Sequence, residues 1–175
     1  MKSFLSLMSV LVLVGVTASA DPMEVTPLTV LSDQVQHRFT VEVANDREEI
    51  SYGLMNRESM DADAGMLFDF NPPYEPSMYM KNTLIPLDML FIATDGRIEM
   101  IARNAVPGSL RTISPGVPVR GVLEIIGGQA AELGLQPGDY VVHPIFENLE
   151  RLTEVVDAPA LDEDAPAEDA PAQAE

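Results

Sequence analysis

Asp88-Met89-Leu90-Phe91-Ile92-Ala93-Thr94-Asp95-Gly96-Arg97-Ile98-Glu99-Met100-Ile101-Ala102-Arg103 carries two apolar runs, 89–92 and 98–101, on either side of Asp95-Gly96. An Asp-Gly pair adopts the positive φ values of a tight two-residue turn. The stretch therefore predicts a β-hairpin. Upstream, residues 37–44 alternate, with Phe39, Val41 and Val43 on one face of a strand. Asn45 and Asp46 follow as a helix start, with Glu48 three residues after Asn45 in capping-box fashion, and the helix is expected to run through Ile50 to about Leu54, with Gly53 near its end. Residues 65–70 read as a strand closed by Asn71-Pro72-Pro73, and 77–82 as a further strand. Downstream, 119–126 is a strand ended by Gly127-Gly128, 129–133 a single helical stretch stopped by Gly134, and Tyr140-Val141-Val142 begins a last strand after the Pro137-Gly138 turn. Strands spaced this closely predict a mainly β (β-rich α+β) domain: a compact antiparallel sheet or barrel-like core with two short helices.

The ends read differently from this core. Lys2, the apolar run 4–16 and Ala18-Ser19-Ala20 have the layout of a cleaved secretory signal over residues 1–20. The run is too short to span a bilayer as a helix, so no stable membrane span is expected after cleavage. Residues 154–175 hold eight acidic and no basic side chains among Ala and Pro, which predicts a disordered, self-repelling tail. The domain between, 21–153, is expected to be exported, and periplasmic if the source is Gram-negative.

Composition excludes several classes. The 175 residues contain no Cys, so disulfides, thiolate metal sites and cysteine nucleophiles are absent. The formal charge is −18, and residues 21–153 alone carry 20 acidic and 9 basic groups. That balance opposes electrostatic nucleic-acid binding, which needs clustered Lys and Arg.

Several ordered motifs resemble the DUF192 family, a domain of unknown function. These are Gly53-Leu54-Met55-Asn56-Arg57, Gly65-Met66-Leu67-Phe68, Met80 through Phe91, Val122-Leu123-Glu124 and Gly138-Asp139. The likeness spans roughly 39–142. It implies a small β-rich domain, often exported, with no established activity. The family commonly has Trp where this chain has Tyr79.

Lys81 is the one lysine after residue 20. Beside Tyr79 it could present an ammonium to an anionic or carbohydrate ligand; the plainer alternative is a lysine pairing with Asp88 or Glu124. Arg57 could clamp a carboxylate or phosphate with its fork, or bond loop carbonyls. Asn82 and Thr83 precede the Leu84-Ile85-Pro86 bend and could fix a polar ligand or satisfy the turn backbone. Asp88 reads as the acidic partner of Lys81 or Arg57, while Glu124, in an otherwise apolar strand, is either on a wet face or in a buried pair. Ser77 and Lys81, four residues apart in a strand, would stand about 13 Å apart at ~3.3 Å per residue, too far for a dyad. His37 and His143 have no ligand-spaced partner, and the methionines between Met55 and Met100, although thioethers can bind Cu(I), read first as core. No metal and no cofactor is expected. The favoured reading is a non-catalytic exported module that binds a small polar ligand or an envelope component through Arg57, Tyr79, Lys81, Asn82, Thr83 and Asp88. A cell-wall or polysaccharide hydrolase using Asp88 or Glu124, and a protein-interaction module recruiting through the acidic tail, are the alternatives.

Overall fold

The hairpin around Asp95-Gly96 forms and joins two strands of a single seven-stranded sheet in the computed structural model, which describes residues 22–33 and 35–154. Its turn is not the expected two-residue one: Gly96 N donates to Ala93 O at 3.1 Å, so Thr94 and Asp95 are the central residues and Gly96 alone of the pair takes a positive φ, 88°. The strands are β1 (Glu24–Ser32), β2 (Val35–Ala44), β3 (Ala64–Tyr74), β4 (Leu87–Ile92), β5 (Ile98–Ala105), β6 (Val119–Ile126) and β7 (Tyr140–Val142). Short helices α1 (Arg47–Tyr52), α2 (Gln129–Glu132) and α3 (Arg151–Glu154) and one 3₁₀ turn (Pro144–Phe146) complete the domain. The proposed signal (1–20) and all of the proposed tail beyond Glu154 lie outside the described residues. No helix among the described residues is long and apolar enough to cross a membrane.

The strand order is β5-β4-β6-β3-β2-β1-β7, antiparallel throughout except for the β2–β3 pair. That parallel pair departs from the purely antiparallel expectation, and α1 lies in its crossover. The sheet curls until its two edges meet at one end. Ile98 N donates to Asp139 O, Gly138 N to Ile98 O and Val141 N to Gly96 O, each at 2.8 Å. Asn148, buried, fixes this corner by donating to Asp95 O (3.1 Å) and Val141 O (3.0 Å).

Curling gives the strands two buried faces. Leu28, Val30, Phe39, Val41, Leu67, Leu90, Ile92, Leu123 and Ile125 fill the inside of the curl. Met66, Phe68, Phe70, Leu87, Met89, Phe91 and Val122 point outward, where Leu54, Met80 and Ile50 cover them. β4 is buried at every position, which explains its unbroken apolar run. Each large apolar side chain so buried contributes roughly 1.5–3 kcal/mol.

Three local expectations are corrected. The α1 cap is Asp46, not Asn45: its Oδ1 accepts from Glu48 N and Glu49 N, both at 2.8 Å, and the Glu49 carboxylate reaches back to the cap backbone. Asn71-Pro72-Pro73 does not close β3, which runs on to Tyr74 through a cis Asn71-Pro72 bond. Residues 77–82 form no strand. They bridge the chain only at Met78–Ile113, and Asn82 takes a positive φ of 56°, so the apparent alternation belongs to a loop laid over the outer face.

Candidate functional site

α1 and the loop 74–83 stand as two walls over the outer face of β3 and β6. α1 ends at Gly53, whose φ of 51° and ψ of −135° turn the chain back; a Cβ there would meet the Phe68 ring at 3.1 Å. The walls are tied at their tips, where Asn56 N donates to Asn82 O at 2.8 Å. Between them is a cavity of about 200 Å³, walled by Leu54, Met55, Phe68, Tyr74, Met78 and Tyr79 and floored by Thr83 and Glu124. It shares Ser51, Tyr52, Met55 and Tyr79 with an outer groove that Arg47, Glu48 and Lys81 border.

Glu124 is the unusual group. It alternates with Val122 on the outer face of β6, and its cross-strand neighbours are Met66 on β3 and Met89 on β4, both fully buried. The residue is 4% exposed. Among the described residues its carboxyl takes part in no ion pair and no side-chain hydrogen bond, and its oxygens are not among the fully enclosed atoms left without a partner, so they keep some opening to the cavity. Burial without compensation pushes its pKa up to about 8, so the carboxyl is largely neutral at pH 7. The sequence offered a wet face or a buried pair, and the structure gives neither.

The other candidates are dispersed. Tyr79 and Thr83 line the inner cavity with Glu124, and Tyr79 and Lys81 line the outer groove. Lys81, Asn82 and Thr83 also border a separate depression with Leu84, Pro107 and Leu110. Lys81 is exposed and makes no ion pair among the described residues, so the expected link to Asp88 or Glu124 is not made. Arg57 lies at none of these depressions: its guanidinium forks onto Glu42 of β2, with Nη1 to Oε1 at 2.6 Å and Nη2 to Oε2 at 2.5 Å. That hydrogen-bonded pair raises the Arg57 pKa.

Asp88 lies on the opposite face of the sheet from Glu124, in step with Leu90 and Ile92. It is wholly buried, and its oxygens accept from Asn104 N (2.7 Å), Gly128 N (3.1 Å) and Ala130 N (2.8 Å). It pairs with neither Lys81 nor Arg57, and it cannot share a substrate with Glu124 across the sheet. With 77–82 in a loop, strand spacing no longer separates Ser77 from Lys81; Ser77 instead lines the inner cavity and Lys81 the outer groove. His143 is buried, with Nε2 at 2.9 Å from Thr26 Oγ1 and Nδ1 accepting from Ile145 N, and burial lowers its pKa to about 4. Met66, Met80 and Met89 are core, as their apolar neighbours implied.

Sequence reasoning missed Tyr52, Met55, Phe68 and Tyr74 as cavity walls. Only the glycine that turns the chain at 53 hinted that α1 folds back over β3.

The DUF192 family model, described as an uncharacterized ACR, matches residues 28–143. The chain belongs to the DUF192 family. The matched span holds both walls and the floor of the cavity, and it starts 11 residues before the resemblance first visible in the motifs. A crystal structure from Sinorhizobium meliloti 1021, of a protein described as a "putative transcription regulator", is similar at 41% identity with a TM-score of 0.70, covering 73% of this chain and 99% of that one. A protein of unknown function from Novosphingobium aromaticivorans DSM 12444 is similar at 39% identity with a TM-score of 0.67, covering 72% of this chain and 94% of that one. No curated protein matches the chain.

Proposed function

We propose that this DUF192 domain is a non-catalytic module that holds a small polar ligand in the cavity between α1 and the 74–83 loop. The observation that carries the reading is the unpartnered Glu124 carboxyl on the cavity floor. A buried polar group left without a partner costs roughly 1–3 kcal/mol, and a ligand that supplies one recovers that cost. The lining combines aromatic rings and thioethers with the hydroxyls of Ser51, Ser77 and Thr83, a mix that suits a ligand with both an apolar and a polar part. The signal-like segment 1–20 supports an exported setting, periplasmic in a Gram-negative cell, where the ligand would be a solute or a piece of the envelope.

The description of the S. meliloti relative does not extend easily to nucleic acid here. Nine basic against 20 acidic groups over 21–153 give phosphates no attractive surface. A hydrolase reading draws on the same Glu124, since a carboxyl kept protonated near neutral pH is the state a general acid requires. It lacks the second carboxylate, because Asp88 is on the other face and fully engaged. Release of soluble fragments from envelope material by the wild type, abolished in Glu124→Gln, would favour that reading instead.

The binding reading is tested by an NMR amide titration with glycerol, acetamide, n-butanol and n-butylammonium. At least one probe is expected to move the amide signals of Gly53, Leu54 and Thr83. Ser77→Trp, which fills the cavity mouth from an exposed loop position, is expected to abolish the shifts. Silence at those amides with all four probes up to their solubility limits would overturn the proposal.

A further inference from the structure

We infer that the ligand is a small primary amine, whose ammonium group Glu124 meets as a carboxylate and whose alkyl part lies against the rings of Phe68, Tyr74 and Tyr79. This rests on the preceding reading of the cavity as a ligand site and specifies its chemistry.

The first argument is charge. Glu124 is the sole charged side chain among the cavity's lining residues, and the lining includes no cation. The elements packed around it do not supply one either. On β3, Asp69 pairs with Arg120 of β6. On β4, Asp88 faces the other way. On α1, Glu49 is spent on its own cap, while Arg47 and Glu48 border the outer groove, as does Lys81. On the loop, Glu75 accepts from Ser114 Oγ at 2.8 Å. An anionic ligand would meet a bare carboxyl, whereas a cationic one supplies the missing counter-charge.

The second argument is the wall. Tyr52, Phe68, Tyr74 and Tyr79 bring aromatic rings to the lining, and Met55 and Met78 bring polarizable thioethers. Ring faces attract ammonium groups, and the attraction strengthens away from water. The size of the cavity, about 200 Å³, suits a molecule of a few heavy atoms rather than a polymer.

The chemistry balances simply. Free, the carboxyl carries a proton at pH 7; on binding, the ammonium stays protonated, the carboxyl gives its proton to the buffer, and an ammonium–carboxylate pair forms. No covalent bond changes. Since burial holds the free carboxyl's pKa near 8, one proton must leave for each amine bound below that pH.

The test is a titration of n-butylammonium against n-butanol, which has the same number of heavy atoms, followed at the Gly53, Leu54 and Thr83 amides at pH 6 and pH 8. The amine is expected to bind about 50-fold more weakly at pH 6 than at pH 8, with the alcohol at least about tenfold weaker than the amine at pH 8 and insensitive to pH. Glu124→Gln is expected to remove the pH dependence and most of the amine affinity. Should that variant not fold, Ser77→Trp in the folded protein must block the amine. Equal binding of alcohol and amine, or an amine affinity that ignores pH, overturns the amine assignment and leaves the polar-ligand reading standing. Binding of Ag⁺ at the same amides with none by the amine overturns it in favour of a soft metal held by thioethers. No response to any probe overturns both.

Discussion

The Asp88 carboxylate on β4 accepts a hydrogen bond from the Ala130 backbone N–H, 42 residues further along the chain, at 2.8 Å. The same carboxylate takes the Gly128 and Asn104 N–H groups, so one buried anion ties β4 to β5 and to the start of α2. Backbone N–H groups stripped of an acceptor in the interior are costly. Asp88→Ala is therefore expected to destabilise the domain by about 3–5 kcal/mol, measured by urea unfolding, and Asp88→Asn by about 2–3 kcal/mol because its amide turns a donor toward donors. A loss below about 0.5 kcal/mol in both would contradict this structural role for Asp88.

The fork between Arg57 and Glu42 is partly exposed, at 33% and 27% for the two side chains, so solvent screens it. Its bidentate geometry still favours a measurable coupling. A double-mutant cycle of Arg57→Ala and Glu42→Ala is expected to give about 0.5–1 kcal/mol, shrinking in high salt. Arg57→Lys should lose most of that coupling, since an ammonium cannot form both bonds in one plane. Because Arg57 lies away from the cavity, ligand shifts at Thr83 should persist in all three variants.

Glu124 and His143 tilt stability against pH in opposite senses. His143 has its folded pKa lowered to about 4, so its contribution is complete above the unfolded value near 6.5 and is lost as pH falls toward 4. Glu124 has its folded pKa raised to about 8, so its contribution is complete below the unfolded value near 4.5 and is lost as pH rises through 8. Between roughly 4.5 and 6.5 the two slopes offset each other. From about 6.5 to 8 the Glu124 slope stands alone, and unfolding free energy should fall by about 1–2 kcal/mol. Denaturant titrations at pH 6.5 and 8 check this, with Glu124→Gln expected to flatten the difference; an unchanged slope in that variant would assign the effect to another group.

How much of this was legible from sequence depended on whether the cause was local. The hairpin at 88–103 and the strand at 119–126 rest on turn chemistry and apolar periodicity within a few residues, and both formed, although the hairpin turns at Ala93–Gly96 with Gly96 alone of the Asp-Gly pair at positive φ. β1 went unseen because Pro27 and two threonines mask its pattern; the proline is tolerated because β7 covers β1 only at Thr29–Leu31 and leaves Pro27 on an open edge. The 77–82 segment looked like a strand because its alternation is real, but it answers to the outer face beneath it rather than to a neighbouring ladder. Asp88 read as the acidic partner of Lys81 or Arg57, but its actual partners are backbone N–H groups 16, 40 and 42 residues away, which no local pattern announces. Glu124 stood out as a carboxylate in an apolar strand; that α1 folds back to seal it in is a tertiary fact.

The floor of the cavity also depends on how closely β3 approaches β6. At Gly65 an added Cβ would lie 2.7 Å from the Glu124 carbonyl oxygen and 3.3 Å from the Ile125 side chain. The near atom is backbone inside a sheet, so relief requires parting the two strands beside the very residue that floors the site. Gly65→Ala is expected to cost about 2–4 kcal/mol, by the overpacking that a rigid neighbour imposes. Gly134→Ala is the contrasting case: its φ of +69° strains an alanine, but a Cβ there meets nothing within 4 Å, so the expected cost is about 1 kcal/mol. Urea midpoints for the two variants, with wild type as reference, should fall in that order. If Gly65→Ala stayed folded at the working pH, its loss of stability between pH 6.5 and 8 should be smaller than in wild type, because parted strands let water reach the Glu124 carboxyl. A Gly65→Ala domain as stable as wild type would mean the strands yield freely there, and the tight burial that isolates Glu124 would lose its structural cause.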